Sequence, residues 1–175
     1  MNGAEAHTGI QFPAIEALMP HRGPILLLDR VTRHDSEYTE AHVCVEFQSW
    51  LGRGDGSVAG WLAMEYMAQC VAAHESLLAL DAGRPLPTGF LVSATRLCLH
   101  ASHFAAGSQL RVRARRVRGR PGLGVLSHEC SLHLADPTVG KQALLAEGRL
   151  SVAGAGSAVL LPPRSSAFRE SGIAK

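Results

Sequence analysis

At 175 residues, 46% of them apolar, the chain is sized for one domain built around one long buried element, with no room for a second. A formal net charge of +2 and an aromatic content of 5% supply neither the field nor the stacking platforms of a nucleic-acid binder. Cys44, Cys70, Cys98 and Cys130 are scattered without a CxxC pair, which argues against a disulfide framework or a zinc knuckle and reads as reduced core thiols.

The opening MNGAEAHTGIQF lacks the basic segment and apolar run of a secretory signal, so the expected compartment is the cytoplasm. PAIEALMPHRGP then reads as a short helical turn ended by Pro20, with His21 and Arg22 held in a loop between Pro20 and Pro24. ILLLDRV is an apolar run suited to a buried strand, and YTEAHVCVEFQ places Ala41, Val43, Val45 and Phe47 on one face of a second strand by alternation. The glycine-rich LGRGDGS supplies a loop, with Asp55 and Ser57 as candidate helix caps.

VAGWLAMEYMAQCVAAHESLLAL is predicted as one long helix running to DAGRP. Its apolar residues lie on nearly every side, so it needs cover all round. Glu65, Gln69, His74 and Glu75 interrupt the run, which speaks against a membrane span. Four strand signals follow: GFLVSATRLCL, SQLRVRARRV, VLSHECSLHL and ALLAEGRLSV, the last two joined across DPTVGK. The order calls for an α+β layer, an antiparallel sheet wrapped around one long central α-helix over residues 15–153. Residues 1–14 and 154–175 are expected to be flexible ends.

Glu65 draws attention because a carboxylate inside such a helix is costly unless used or paired, and desolvation moves it toward the range of a general acid or base. A structural hydrogen bond to a loop amide accounts for it equally. His21, fixed between prolines, can exchange a proton near neutrality or be an ordinary loop histidine. His34, His42, His74, His100, His103, His128 and His133 are read as structural, and with no HxxxH or HExxH pair beside a matching carboxylate no metal site is expected. Gly60, in the first helical turn, either exposes amide donors to a substrate carbonyl or allows close packing. Arg111, Arg113 and Arg115 share one face of their strand, with Arg116, Arg118 and Arg120 extending the positive strip past an irregularity. This is either a solvated outer face or a surface for an anionic partner.

MPHRGPILLLDRV resembles the histidine-bearing segment of FabZ-type 3-hydroxyacyl-carrier-protein dehydratases, and AGWLAMEYMAQCVAAH resembles their central-helix motif. GWLAMEYMAQCVAAH with PTGFLVSATRL is closer still to the ApeP-like branch, hotdog proteins associated with bacterial aryl polyene gene clusters. The resemblance spans Ile15 to Val152 and implies a hotdog fold and reversible removal of water from a 3-hydroxyacyl thioester. It makes His21 the base at C2 and Glu65 the group that protonates the departing hydroxyl, with Gly60, Trp61 and Gln69 binding substrate. It further implies an obligate dimer, of like or related hotdog subunits, in which the histidine and carboxylate of one site come from different chains. The acyl group would ride on the 4'-phosphopantetheine of acyl carrier protein or on coenzyme A, with no other cofactor, and Arg111, Arg113 and Arg115 would dock the carrier. The helix entry SVAG, where FabZ-type proteins have a Pro-Gly pair, and Tyr66, where they have alanine, depart from the pattern. Two rivals are an acyl thioester hydrolase and a non-catalytic carrier-binding subunit of a heteromeric dehydratase.

Overall fold

The computed structural model describes residues 11–46, 54–119, 124–135 and 143–154. A four-residue helix, α1 (Ile15–Leu18), leads into a 3-10 turn at Gly23–Ile25 and the strands β1 (Arg30–His34) and β2 (Tyr38–Cys44). After β3 (Ser57–Ala59) and a second 3-10 turn (Gly60–Leu62) comes the long helix α2 (Ala63–Asp81), then β4 (Gly89–Leu99), β5 (His103–Ala105), β6 (Gln109–Arg118), β7 (Val125–Leu134) and β8 (Leu144–Gly154). Six strands form one antiparallel sheet in the order β1-β2-β6-β7-β8-β4, and β3 pairs with β5 beside it. This is the expected hotdog arrangement: α2 touches all six strands of the large sheet.

The core follows from strand alternation meeting a helix buried on most sides. Leu110, Val112 and Ala114 of β6, with Ala41 and Val43 of β2, are at most 1% exposed against Met67, Cys70 and Val71 of α2. Full burial of each large apolar side chain contributes about 1.5–3 kcal/mol. Ladder irregularities at Val31/Arg33, Leu91/Ser93, Thr95/Cys98, Arg116/Arg118 and Leu132/His133 bend the strands as wrapping requires.

Several expectations need correction. ILLL forms no strand: it spans the end of the first 3-10 turn and extended chain before β1, with the Ile25 carbonyl and Leu27 amide bonded to Gln69 of α2 in place of a ladder. The long helix starts at Ala63, its predicted first turns being β3 and the second 3-10 turn. Asp55 caps no helix, since its carboxylate accepts hydrogen bonds from the amide and hydroxyl of Ser57, the first residue of β3. Cys70 and Cys130 are buried as expected, with burial pushing the Cys130 thiol up to about 12, but Cys44 is half-buried and Cys98 exposed. Phe47, DPTVGK, Arg120 and most of the two expected flexible ends lie outside the described residues. Of the N-terminal end, Phe12 packs against the core with its ring edge-on to His34, and at the other end Gly154 still pairs with Gly89. No helix among the described residues is long and apolar enough to cross a membrane.

His74, fully buried on α2, shares a hydrogen bond between its Nδ1 and the Thr39 hydroxyl (2.9 Å), and Thr39 in turn meets His34. Burial pushes the His74 pKa down from 6.5 to about 4, with Glu75 opposing and His128, Arg116 and His34 adding to the shift. Below pH 6.5 the unfolded chain therefore takes up a proton that the folded chain refuses, and stability falls as pH drops toward 4. Between pH 7 and pH 5 the loss should be about 2 kcal/mol, and His74→Gln should flatten the dependence of denaturant midpoint on pH. Parallel wild-type and variant curves would show that His74 is not its source.

Candidate active site

His21 stands where the sequence places it, between α1 and the first 3-10 turn. The Arg22 guanidinium donates to the carbonyls of Met19 and His21, both at 2.6 Å, and so folds this loop on itself. Across from it, in the first turn of α2, Glu65 presents its carboxylate: His21 Nε2 and Glu65 Oε1 are 3.8 Å apart. That gap exceeds a hydrogen bond, so the two groups face one another without closing on each other. Their side chains are 32% and 40% exposed, so Glu65 is reachable and not sealed in the core as the helix pattern suggested. Both come from the same chain, where the resemblance implied one from each subunit.

Gln69 holds this arrangement. One turn beyond Glu65, its Nε2 donates to Glu65 Oε1 (2.9 Å) and to the Ile25 carbonyl (2.7 Å), while its Oε1 accepts from the Leu27 amide (2.9 Å). Only one amide orientation satisfies a backbone carbonyl and a backbone N–H together, which fixes the donor aimed at Glu65. The same side chain thus orients the carboxylate and anchors the segment that follows His21. Its i, i+4 spacing from Glu65 was visible in the sequence. Its grip on residues 25–27 was not.

His21, Glu65 and Gln69 line a cavity of about 780 Å³ that runs along α2 past Ala68, Ala72 and Glu75 and is walled by residues of β4, β7 and β8. Trp61, 56% exposed, and Gly60 are not on its wall. The Gly60 amide donates to the Ser102 carbonyl (2.9 Å), and a Cβ on Gly60 would stand 2.1 Å from the Ala101 carbonyl oxygen. Of the two readings of Gly60, close packing is the one this conformation uses.

Arg111, Arg113 and Arg115 alternate with the buried residues of β6 and lie on the sheet's outer face, away from the cavity. Arg113 covers the Tyr38 ring at 3.7 Å, and Glu129 bridges Arg115 (2.6 Å) and Arg149 (2.9 Å), so the strip is interleaved with acid and aromatic groups. Arg116 does not continue it: at the irregularity it turns inward to Glu75, which also accepts from His128 Nε2 (2.7 Å). Composition and alternation gave no sign of this buried triad. The described residues contain no cluster of three or more His, Cys, Asp and Glu side chains suited to a metal ion.

Residues 13–159 match the family model described as ApeP-like, ApeP dehydratase. Among solved structures, the dehydratase heterocomplex ApeI:P from Xenorhabdus doucetiae is similar at a TM-score of 0.73 and 20% identity, covering 83% of this chain and 93% of that one. The PaaI protein of the E. coli phenylacetic acid degradation operon is similar at a TM-score of 0.52 and 12% identity, covering 74% and 81%. No curated protein matches the chain at a significant level.

Replacing Gln69 by leucine keeps the volume but strips the Leu27 amide and the Ile25 carbonyl of their partner. Hydrogen exchange at the Leu27 amide should then accelerate at least about tenfold while the middle of α2 keeps its protection. Unchanged exchange at Leu27 would mean that the segment is held by something other than Gln69.

Proposed function

Because the chain belongs to the ApeP-like dehydratase family, we propose that it catalyses the reversible elimination of water from a 3-hydroxyacyl thioester, giving the trans-2-enoyl thioester. The observation that carries this reading is the facing of His21 Nε2 and Glu65 Oε1, 3.8 Å apart on the wall of one cavity. An elimination needs a base at C2 and an acid at the 3-oxygen, two proton positions a few ångströms apart on neighbouring carbons. In the reactive state the imidazole is neutral and the pair's proton sits on Glu65.

His21 Nε2 takes the C2 proton, the C2–H electrons become the second C2–C3 bond, and the C3–O bond breaks as Glu65 delivers its proton to the hydroxyl. Water leaves, His21 carries the proton and Glu65 is ionised. Return of the proton across the gap restores the starting state. Gln69, donating to the same Glu65 oxygen that faces His21, holds the carboxylate on line. The steps are proton transfers between side chains and need no cofactor. The acyl group is carried by the phosphopantetheine of acyl carrier protein or by coenzyme A, and the outward guanidinium groups of Arg111, Arg113 and Arg115 are the surface for an acidic carrier.

Edge strand β4 supports pairing with a second hotdog subunit, a copy of this chain or a relative. Among the described residues it pairs only with β8, is eleven residues long, and exposes Phe90, Leu91 and Val92 at 54%, 38% and 37%. An edge of that length and character is a ready partner for another strand. The similar ApeI:P structure is a dehydratase heterocomplex.

With a short crotonyl thioester, the purified protein should discharge the conjugated enoyl absorbance, and His21→Ala and Glu65→Gln should each slow this by about 10²–10⁴. Release of free thiol without enoyl hydration would replace the dehydratase reading with the hydrolase. For assembly, light scattering should give about twice the single-chain mass of 18.6 kDa, alone or with a related subunit added. Val92→Glu should shift it to one chain. A wild-type protein that stays single under both conditions would remove β4 as a pairing edge.

A further inference from the structure

On the face of the sheet turned away from α2, a second cavity of about 640 Å³ is lined by Arg96, Arg113, Arg115, Arg149, Glu129 and Ser131. Strand register explains its shape. Ser131 of β7 lies between Arg113 of β6 and Glu147 of β8, and the neighbouring row holds Arg115, Glu129 and Arg149, so a short hydroxyl side chain forms the floor of a basin walled by long charged ones. The four guanidinium groups outnumber the three carboxylates of the lining, Glu37, Glu129 and Glu147. Both Glu129 oxygens are already taken, by Arg115 and Arg149, and Glu147 faces His100 at 3.6 Å. Arg113 lies over the Tyr38 ring, and its Nε, like that of Arg149, finds no acceptor. Among the described residues Arg96 and the Ser131 hydroxyl have no hydrogen-bond partner. Donors around Ser131 thus exceed acceptors, and what they lack is a negatively charged oxygen group.

Arg96 reaches the basin by an irregularity of β4. Thr95 pairs with Arg149 and Cys98 with Glu147, so Arg96 and Leu97 together oppose Gly148 alone. Leu97 turns inward over Gly148, where an added Cβ would meet its Cα at 3.2 Å, and packs against the core. Arg96 is the additional side chain on the outer face, held at φ +52°, and among the described residues no other non-glycine residue has a positive φ. The bulge alone is served better by glycine, which adopts that conformation without cost. A tetrahedral anion presents oxygens in several directions at once and can meet guanidinium groups from β4, β6 and β8 together, which a planar carboxylate held by one fork does not do.

We propose that this basin binds a phosphate group, free or carried as a monoester, above the Ser131 hydroxyl and between Arg96, Arg113 and Arg149. The site is separate from the His21–Glu65 cavity and does not depend on the dehydratase reading. Arg113 and Arg115 also belong to the strip assigned above to an acidic carrier. Arg96 and Ser131 do not, and substitutions there test the phosphate site alone.

Cys98 supplies the readout, since its exposed thiol lines the basin whereas the half-buried Cys44 lies outside it. Alkylation of each thiol by iodoacetamide is followed by mass spectrometry as inorganic phosphate is added. At about ten times its dissociation constant, phosphate should slow the reaction at Cys98 about tenfold and leave Cys44 unchanged. Arg96→Gly should raise the phosphate concentration needed by at least about tenfold without lowering the thermal midpoint in phosphate-free buffer, and Ser131→Asp should abolish protection. Glycerol phosphate acting at lower concentration than inorganic phosphate would assign the site to a monoester, and the reverse order to the free ion. No protection of Cys98 by phosphate, equal protection by sodium chloride at matched ionic strength, or protection unchanged in both variants would overturn the proposal.

Discussion

A helix enclosed on nearly all sides has to find partners for every polar side chain it carries, because water is not there to supply them. On α2, Gln69, His74, Glu75 and Ser76 are buried, and each bonds a different neighbour, although His74 Nε2 has no hydrogen-bond partner. Gln69 binds the chain at residues 25–27, His74 meets Thr39 of β2, Glu75 meets Arg116 of β6 and His128 of β7, and Ser76 donates to the Leu18 carbonyl of α1 at 2.6 Å. The apolar core gives the helix its depth. These four polar residues set its rotation and its register against the rest of the molecule.

The candidate site is a by-product of that pinning. The segment after His21 has no strand partner, so its position relative to Glu65 depends on one glutamine amide that grips both. The His21 loop is closed on the other side by Arg22, whose guanidinium binds the two carbonyls flanking it. Residues so held keep a separation of 3.8 Å without a hydrogen bond between them, so the two groups sit side by side on the cavity wall. The small side chains Ala68 and Ala72 leave space along the cavity between α2 and the β4–β8 end of the sheet.

The outer face of the sheet obeys a different rule. There opposite charges from adjacent strands lie in register, from the buried Glu40 to the exposed Arg115: Glu40 beside Arg113, Arg115 beside Glu129, Glu129 beside Arg149. Pairs of this kind contribute little to stability but keep a dense row of arginines from repelling one another. The hydrogen bond from Arg115, with that from Arg149, holds the Glu129 carboxyl below its ordinary range. A positive strip in one strand becomes a mixed surface once its neighbours are known.

Period-2 alternation in β6, β7 and β8 and the all-round apolar character of the long helix were enough to predict the antiparallel sheet and its central helix, because side-chain direction within one element is a local property of the chain. Glu65 and His21 stood out for the same reason, a charge in an apolar segment and a histidine between prolines. What local pattern misread was ILLL, whose hydrogen bonds go to a side chain 42 to 44 residues away, and Arg116, which a ladder irregularity turns from the solvent face to a buried carboxylate. The sequence by itself determined the strands β2, β4, β6, β7 and β8, the enclosed helix, and which ionisable residues are out of place. Only the tertiary structure decided that His21 and Glu65 of one chain meet, that Gln69 governs their meeting, and that Glu75 pairs with Arg116 and His128, because each depends on contacts between elements far apart in the chain, which no local period encodes.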